Sequence, residues 1–220
     1  MKDFIDNNKY YLIPFLLLML SGLIFLFFNN KGEELAFFSA NRTAFMNTFF
    51  KVANYLGEAY IFIFCISILL LFQLWKQSIP VLLCGIFSII CSHFFKHFFG
   101  YPRPAIYFLE TLKRPELLQP VPGVELVSSY TTSFPSGHTT AAFALCGILA
   151  FIINRPLYIK QLFLLPAMLA GAARIYLGQH FLSDVIAGAL LGTSIAIIVY
   201  IFDSRIQVII TNRFIQSATK

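Results

Sequence analysis

The sequence predicts an all-α, polytopic membrane protein with six transmembrane helices and one interfacial amphipathic helix. The 220 residues are 58% hydrophobic and only 12% charged, and the mean hydropathy is +0.76, which is outside the usual profile of a soluble domain. Apolar stretches without charge recur at about the 20-residue length that crosses a bilayer as a helix. Since the sequence has no alternating barrel pattern, helices account for these stretches.

Six stretches are long enough to be spans. Five of them contain no charge: residues 10–30, 59–75, 77–95, the latter part of 126–154, and 185–202. The remaining stretch, residues 156–173, is the fifth span in chain order; it contains Lys160, whose amine we expect to extend to the interface, and Pro166, which we expect to kink the helix. No small-residue cleavage site follows the first stretch, so we expect it to be retained rather than removed as a signal peptide.

Two connecting segments have features of their own. Residues 35–52 place Phe38, Phe45 and Phe49 at helical spacing among polar residues, which predicts an amphipathic helix lying in the interface. Residues 104–134 form the only long connection, rich in proline, and a connection of this length between spans is more often functional than not. We expect these two segments to select the headgroup of a ligand.

The chain is predicted to be a single membrane-embedded domain covering residues 1–220, without internal repeats. Its net charge of +6 comes from basic residues scattered over many loops, so anionic lipid headgroups are better partners than nucleic acid. Gly188 and Gly192 have G-x-x-x-G spacing, which we interpret as close packing on a neighbouring helix within the chain. The sequence does not indicate an oligomeric state.

Lys96 and Arg103 are the first two polar residues of a candidate site. Gly100 and Pro102 predict that the helix bearing Lys96 ends before Arg103. Arg103 lies between Pro102 and Pro104, so its backbone is stiff and its planar guanidinium can bind a phosphate through two hydrogen bonds. Lys96 would add a point charge.

The segment Pro135-Ser136-Gly137-His138 leads into the fourth predicted span. A helix N-terminus offers unpaired N–H groups to an anion, Gly137 permits close approach of the backbone, and the Ser136 hydroxyl can donate a hydrogen bond. His138 is placed to give or take a proton.

Arg174, His180 and Asp184 form the third group. His180 and Asp184 are four residues apart, so their side chains lie on one face of a helix. Asp184 can accept the ring N–H of His180, which leaves the other ring nitrogen free to attack as a nucleophile. Arg174 supplies a third cation.

Each of these residues also has an ordinary structural interpretation. A lysine or arginine at a span end is usually an anchor, an isolated interfacial histidine usually packs, and an aspartate that starts a helix is most often a cap. For the residues to have no common function, all these structural interpretations would have to be true at once, although the residues occur in motif order and on one membrane face. In an alternating six-span topology the four span ends that bear these motifs do fall on the same face, and charged groups at such margins favour a functional site.

The patterns K-x6-R-P, P-S-G-H and R-x5-H-x3-D, in this order over residues 96–184, resemble the signature of the type 2 phosphatidic acid phosphatase superfamily, and in particular its bacterial membrane-embedded members. One departure is that Ala173 stands where the family usually has a serine before the third-motif arginine. The resemblance implies six helical spans and metal-independent hydrolysis through a phosphohistidine.

The resemblance also implies a role for each motif residue. Phosphate-binding residues would be Lys96, Arg103, Ser136, Gly137 and Arg174. His180 would attack phosphorus, Asp184 would orient His180, and His138 would protonate the leaving group and later deprotonate water. No D-x-D motif or histidine-rich cluster indicates a metal, and no glycine-rich P-loop indicates a nucleotide, so we expect no cofactor.

The predicted function is therefore hydrolysis of a membrane-lipid phosphomonoester or diphosphate. Substrates known for the family are undecaprenyl diphosphate, phosphatidylglycerophosphate, phosphatidic acid and lipid A phosphates. The alternatives are transfer of the phosphoryl group to a second lipid, and an anion transporter without chemistry. If the N-terminus is cytoplasmic, eight basic residues lie on the cytoplasmic side of the membrane and five on the outer side, the three site cations not counted. This distribution predicts a cytoplasmic N-terminus in the bacterial inner membrane and a site facing the periplasm or exterior.

Overall fold

The structure of the protein, a computed structural model, describes residues 2–153 and 157–218. Every regular element in these residues is a helix, so the predicted all-α class is confirmed for them. The α-helices are α1 (Lys2–Phe28), α2 (Glu33–Ala40), α3 (Ala44–Asn54), α4 (Ala59–Leu71), α5 (Trp75–Phe99), α6 (Pro104–Ile106), α7 (Gly137–Ile152), α8 (Leu164–Tyr176) and α9 (Leu182–Ala218). Short 3₁₀ segments cover Tyr55–Gly57, Pro115–Leu117 and Leu157–Phe163, and a π turn covers Tyr107–Thr111.

Three helical segments in the described residues are long and apolar enough to cross a membrane: Lys2–Phe28, Trp75–Thr111 and Leu182–Ser204. A fourth results if the two helical segments Ala44–Gly57 and Ala59–Leu71, bent by 61° at Glu58, count as one span. The six spans predicted from the sequence are thus not confirmed. The physical reason is helix length: α4 and α8 have 13 residues each and α7 has 16, whereas a span needs about 20.

The fifth predicted span differs from its prediction in two ways. Pro166 lies in the first turn of α8, where its missing N–H breaks no helical hydrogen bond, so it does not interrupt the helix. Lys160 is buried and donates a hydrogen bond of 2.8 Å to Asn8 Oδ1 instead of extending to the interface. The predicted start of this span at Pro156, and the predicted end of the fourth at Asn154, lie outside the described residues.

The predicted interfacial helix is divided into α2 and α3. The break falls at residues 41–43, where Thr43 is the N-cap of α3 and its Oγ1 accepts a hydrogen bond of 3.2 Å from the Met46 N–H. A threonine hydroxyl satisfies a free N–H at a helix start, and this favours a new helix over a continuous one.

Helix α7 lies at the centre of the protein and packs on α9, α5 and α8. Glycines of α9 allow the closest approach. A Cβ added to Gly188 would lie 2.6 Å from the Ser136 carbonyl oxygen, and one added to Gly192 would overlap the Thr140 carbonyl oxygen. The predicted close packing of this G-x-x-x-G pair is therefore confirmed. It holds the start of α9 against the start of α7, and these two helix ends bear the second and third motifs.

Candidate active site

Three segments distant in sequence meet where α5 and α8 end and α7 and α9 begin. Helix α5 ends at Gly100, whose φ of +59° is left-handed, so the chain turns away before Arg103, as predicted. The turn that precedes α7 is tied to the start of α9 by a hydrogen bond of 3.0 Å from the Ser136 N–H to the Asp184 carbonyl oxygen. The backbone itself thus brings the second and third motifs together.

His180 and Asp184 form a buried pair. His180 Nδ1 lies 3.3 Å from Asp184 Oδ2, and their side chains are 1% and 4% exposed. The same carboxylate oxygen accepts hydrogen bonds from Ser133 Oγ at 2.6 Å and from the Phe181 N–H at 3.0 Å. Several donors therefore fix this carboxylate, and its position sets the orientation of the imidazole.

The His180 ring is neutral at physiological pH. Burial lowers its pKa to about 3, and the positive charges of Arg174 and Arg103 add to this effect, against the opposing influence of Asp184. In a neutral imidazole one nitrogen bears the proton and the other a lone pair. If Nδ1 donates to Asp184, Nε2 has the lone pair that a nucleophile requires.

Arg103 is held in place by contacts on both sides of its guanidinium. It is the N-cap residue of α6, and Pro104 begins that helix. Its Nε donates to Thr132 Oγ1 at 3.1 Å, and one terminal nitrogen lies 3.3 Å from Gln179 Oε1. Gln179 immediately precedes His180, so Arg103 and the imidazole are positioned by adjacent residues.

Arg174 lies in the last turn of α8 and is 8% exposed. One terminal nitrogen donates a hydrogen bond of 2.6 Å to Asn54 Oδ1, at the end of α3. Its Nε is buried and has no hydrogen-bond partner among the described residues. Ala173, the departure from the family pattern, is fully buried and has no polar side chain, whereas Asn54 contacts this guanidinium directly.

Lys96, Gly137 and His138 lie at one end of a cavity of ≈ 510 Å³ between α4, α5 and α7. A Cβ added to Gly137 would be 3.5 Å from Lys96 Nζ, an ordinary contact distance, so the ammonium lies beside the first turn of α7. Away from this end, the cavity is lined mainly by apolar side chains such as Phe62, Ile66 and Ile86. A polar end joined to an apolar chamber suits an amphipathic ligand.

Ser136 is the N-cap of α7 and is fully buried. Its Oγ accepts hydrogen bonds from the Thr139 N–H at 3.4 Å and from Thr139 Oγ1 at 2.8 Å. In both contacts the Ser136 oxygen is the acceptor. Donation by Ser136 to a phosphate stays a prediction.

His138 contacts a residue that sequence analysis did not select. Its Nε2 lies 2.8 Å from Glu58 Oε1, at the bend before α4. Ser133, Asn54 and Glu58 were all missed as neighbours of the motif residues. The only available signal was weak. Glu58 directly precedes the apolar residues 59–75, and a carboxylate at a membrane margin has a desolvation cost that favours a functional role.

The charges at this site favour an anion. Lys96, Arg103 and Arg174 are close enough to affect one another electrostatically, and Asp184 and Glu58 are the acidic groups acting on them. Three clustered cations repel one another unless a negative ligand lies among them. Within residues 2–153 and 157–218, no group of three or more His, Cys, Asp or Glu side chains has the arrangement of a metal site.

Comparison with known proteins supports the predicted family. The model of the PAP2 superfamily matches residues 77–207, which include all the motif residues, so the resemblance predicted from the motifs is confirmed. The chain is similar to an undecaprenyl-diphosphatase of Sulfolobus acidocaldarius, with 27% identity over 197 residues that cover 86% of this chain and 89% of the relative.

Two solved structures have a similar fold. Aquifex aeolicus LpxE has a TM-score of 0.64 and 29% identity, over 78% of this chain and 94% of that one. A transmembrane PAP2 type phosphatidylglycerolphosphate phosphatase from Bacillus subtilis has a TM-score of 0.60 over 90% of this chain and 98% of that one, and at 22% identity this likeness concerns the fold alone. Together with the long apolar helices, these relations identify an integral membrane protein.

Proposed function

Since the chain belongs to the PAP2 superfamily, we propose that it is a membrane lipid phosphatase that hydrolyses a phosphomonoester or diphosphate through a phosphohistidine intermediate. The observation on which this rests is the buried His180–Asp184 pair among three cations. A neutral imidazole held by a carboxylate is a nucleophile, and the cations can bind the phosphoryl oxygens.

The first half of the reaction forms a bond between His180 Nε2 and phosphorus and breaks the bond from phosphorus to the leaving oxygen. Lys96, Arg103 and Arg174 stabilise the charge on the equatorial oxygens, assisted by Ser136 and Gly137 at the start of α7. His138 gives its proton to the leaving oxygen. Asp184 accepts the Nδ1–H of His180 throughout and stabilises the positive charge that the ring acquires.

The second half uses water. His138 takes a proton from the water molecule as its oxygen attacks phosphorus, the bond from phosphorus to His180 breaks, and inorganic phosphate leaves. His138 is then protonated again for the next turnover, so protons balance over the cycle. These steps use no metal ion, because the cations and helix ends supply the positive charge that metals supply in other phosphoryl-transfer enzymes.

The cavity of ≈ 510 Å³ supports a lipid substrate. Its polar end, with Lys96 and His138, would receive the phosphate, and the apolar part would hold the first segment of a hydrocarbon chain. The relatives include an undecaprenyl-diphosphatase, a phosphatidylglycerophosphatase B and a lipid A 4'-phosphatase, so the candidate substrates are undecaprenyl diphosphate, phosphatidylglycerophosphate, lipid A phosphates and phosphatidic acid.

We also propose the membrane arrangement. The whole chain acts as one phosphatase domain with six spans, in which the shorter helices α4, α7 and α8 complete the set begun by α1, α5 and α9. The basic residues favour a cytoplasmic N-terminus in a bacterial inner membrane, with the site facing the periplasm or exterior.

The decisive experiment is a phosphate-release assay of purified protein in detergent, with undecaprenyl diphosphate, phosphatidylglycerophosphate, phosphatidic acid and lipid A as separate substrates and a chelator present. Wild type should release phosphate from at least one, and His180→Ala should lose this activity while it elutes and melts as wild type does. A ³²P-labelled substrate should label wild type in an acid-labile bond after a rapid quench.

Three outcomes would contradict parts of the proposal. Full activity of His180→Ala would exclude the phosphohistidine, and loss of activity with chelator would exclude metal independence. Transfer of ³²P to a second lipid, with turnover only when that lipid is present and no inorganic phosphate released, would identify a phosphotransferase, because a hydrolase needs no acceptor but water.

A further inference from the structure

Glu58 makes a direct contact with the proposed acid–base residue. Its Oε1 lies 2.8 Å from His138 Nε2, and the two side chains are 36% and 28% exposed. Both belong to the polar end of the cavity that Lys96 also lines. The carboxylate therefore touches the ring whose proton the proposed reaction moves.

The backbone on both sides holds this contact in place. Glu58 follows the 3₁₀ segment Tyr55–Gly57, and a Cβ added to Gly57 would lie 2.8 Å from both the Cβ and the carbonyl oxygen of His138. The turn before Glu58 thus packs directly on the first turn of α7. This approach fixes the position of Glu58 through the main chain and not only through its side chain.

The side chain of Glu58 is not used to cap a helix. Glu58 is the N-cap residue of α4, a position where side chains commonly accept a hydrogen bond from a backbone N–H, yet its carboxylate makes no such bond. It accepts from His138 instead. The contact is therefore more than a by-product of helix capping.

The charges facing His138 explain why a carboxylate is needed there. Among the described residues these are Arg174 from α8, Lys96 from α5 and Glu58 from the turn before α4. Burial and then the two cations disfavour a positively charged imidazole, whereas an adjacent carboxylate favours it. A general acid must be protonated when the leaving group departs.

We infer that Glu58 is a positioning residue for His138: its carboxylate accepts a hydrogen bond from Nε2 and favours the protonated form of the ring for proton transfer to the leaving oxygen. This inference rests on the proposed phosphatase function. His138 loses one proton to the leaving group and regains one from the attacking water. The carboxylate stabilises the charged ring before and after each transfer.

The test compares two leaving groups. An alkyl lipid phosphate expels a strongly basic alkoxide that needs a proton, whereas 4-nitrophenyl phosphate expels a stable phenolate that does not. For Glu58→Gln we expect kcat/KM on the alkyl substrate to fall about 10- to 100-fold, part of the effect of a general acid. On the aryl substrate we expect a loss of less than about threefold, since the acid contributes little there.

The pH profile gives a second readout. On the alkyl substrate, the fall of kcat/KM at high pH reports loss of the proton from the acid, and Glu58→Gln should move this fall to lower pH. The matched control is Glu33→Gln, which removes an exposed carboxylate from the first turn of α2 and should leave activity on both substrates and the pH profile unchanged. His138→Ala provides the reference for complete loss of the acid.

The outcomes separate this inference from the proposed function. If wild type hydrolyses neither substrate, both fail. If wild type is active and Glu58→Gln behaves as Glu33→Gln does, or loses activity on both substrates by the same factor without a shift of the pH profile, the positioning role alone is overturned. In the second case Glu58 would only support the structure of the site.

Discussion

The Ser136 N–H donates a hydrogen bond of 3.0 Å to the carbonyl oxygen of Asp184, so the start of α7 and the start of α9 are joined through their main chains. His138 lies two residues beyond Ser136, and Asp184 orients His180. The proposed proton-transfer residue and the proposed nucleophile are therefore linked through one backbone contact, which the close approach of Gly188 to the Ser136 carbonyl permits.

Ser133 should be important for the rate. Its Oγ donates the short 2.6 Å hydrogen bond to Asp184 Oδ2, and a hydrogen bond to a charged group contributes about 1.5–3 kcal/mol. We expect Ser133→Ala to lower kcat about tenfold, because a loosened carboxylate orients His180 less well. Steady-state kinetics beside Ser21→Ala, an exposed serine of α1, would check this, and equal kcat values for the two variants would contradict it.

Asn54 should control the affinity for phosphate. Its Oδ1 accepts a 2.6 Å hydrogen bond from Arg174, so Asn54→Ala should raise KM about tenfold, the effect of one lost charge-assisted hydrogen bond. Asn54→Asp should raise KM further, because the new carboxylate would pair with Arg174 and repel the substrate.

The control for Asn54 is Asn47→Ala. Asn47 lies on the same helix and accepts a hydrogen bond from the Tyr176 hydroxyl, so it contacts the end of α8 without touching the Arg174 guanidinium. A larger rise in KM for Asn47→Ala than for Asn54→Ala would show that the effect comes from helix packing.

Glu34 should make stability depend on pH. It is 7% exposed, Oε1 accepts from the Leu182 N–H at 2.9 Å, and Oε2 has no partner among the described residues. Burial raises its pKa, and the charge of Asp184 adds to this effect. A raised carboxyl pKa means that the folded state holds the proton more tightly, so its contribution to stability decreases as pH rises through that pKa.

Glu34→Gln removes this ionisation. We expect its Tm relative to that of wild type to increase from pH 4 to pH 8, measured by thermal unfolding in detergent. Glu33→Gln, which removes an exposed carboxylate from the first turn of the same helix, is the control. A relative Tm that falls over this range would mean that ionised Glu34 stabilises the fold.

Gly192 should be needed for the packing of α7 on α9. A methyl group there would overlap the Thr140 carbonyl oxygen and lie 2.9 Å from the Ala144 nitrogen. Overpacking of this kind costs about 1–3 kcal/mol, so Gly192→Ala should lower Tm and also lower activity by shifting the start of α9. Ser194→Ala, on the exposed face of the same helix, should change neither quantity, and a normal Tm for Gly192→Ala would contradict this packing.

Much of the local structure could be predicted from the sequence, because local patterns specify it. Apolar stretches locate the helices, Gly100 and Pro102 end α5 before Arg103, and Gly188 with Gly192 indicate a close helix contact. The predictions that were not confirmed depend on chain geometry. Thr43 starts a new helix within the expected interfacial one, and 3₁₀ structure at Leu157–Phe163 replaces the first part of the fifth predicted span.

The sequence by itself determined the all-α class, the family and the candidate motif residues, since hydropathy and short fixed spacings specify these. Only the tertiary structure decided which residues support them: Ser133 at Asp184, Asn54 at Arg174 and Glu58 at His138. The Ser133–Asp184 contact spans 51 positions in the chain, Glu58–His138 spans 80 and Asn54–Arg174 spans 120. No local pattern encodes such contacts, because they depend on how α3, α7, α8 and α9 pack.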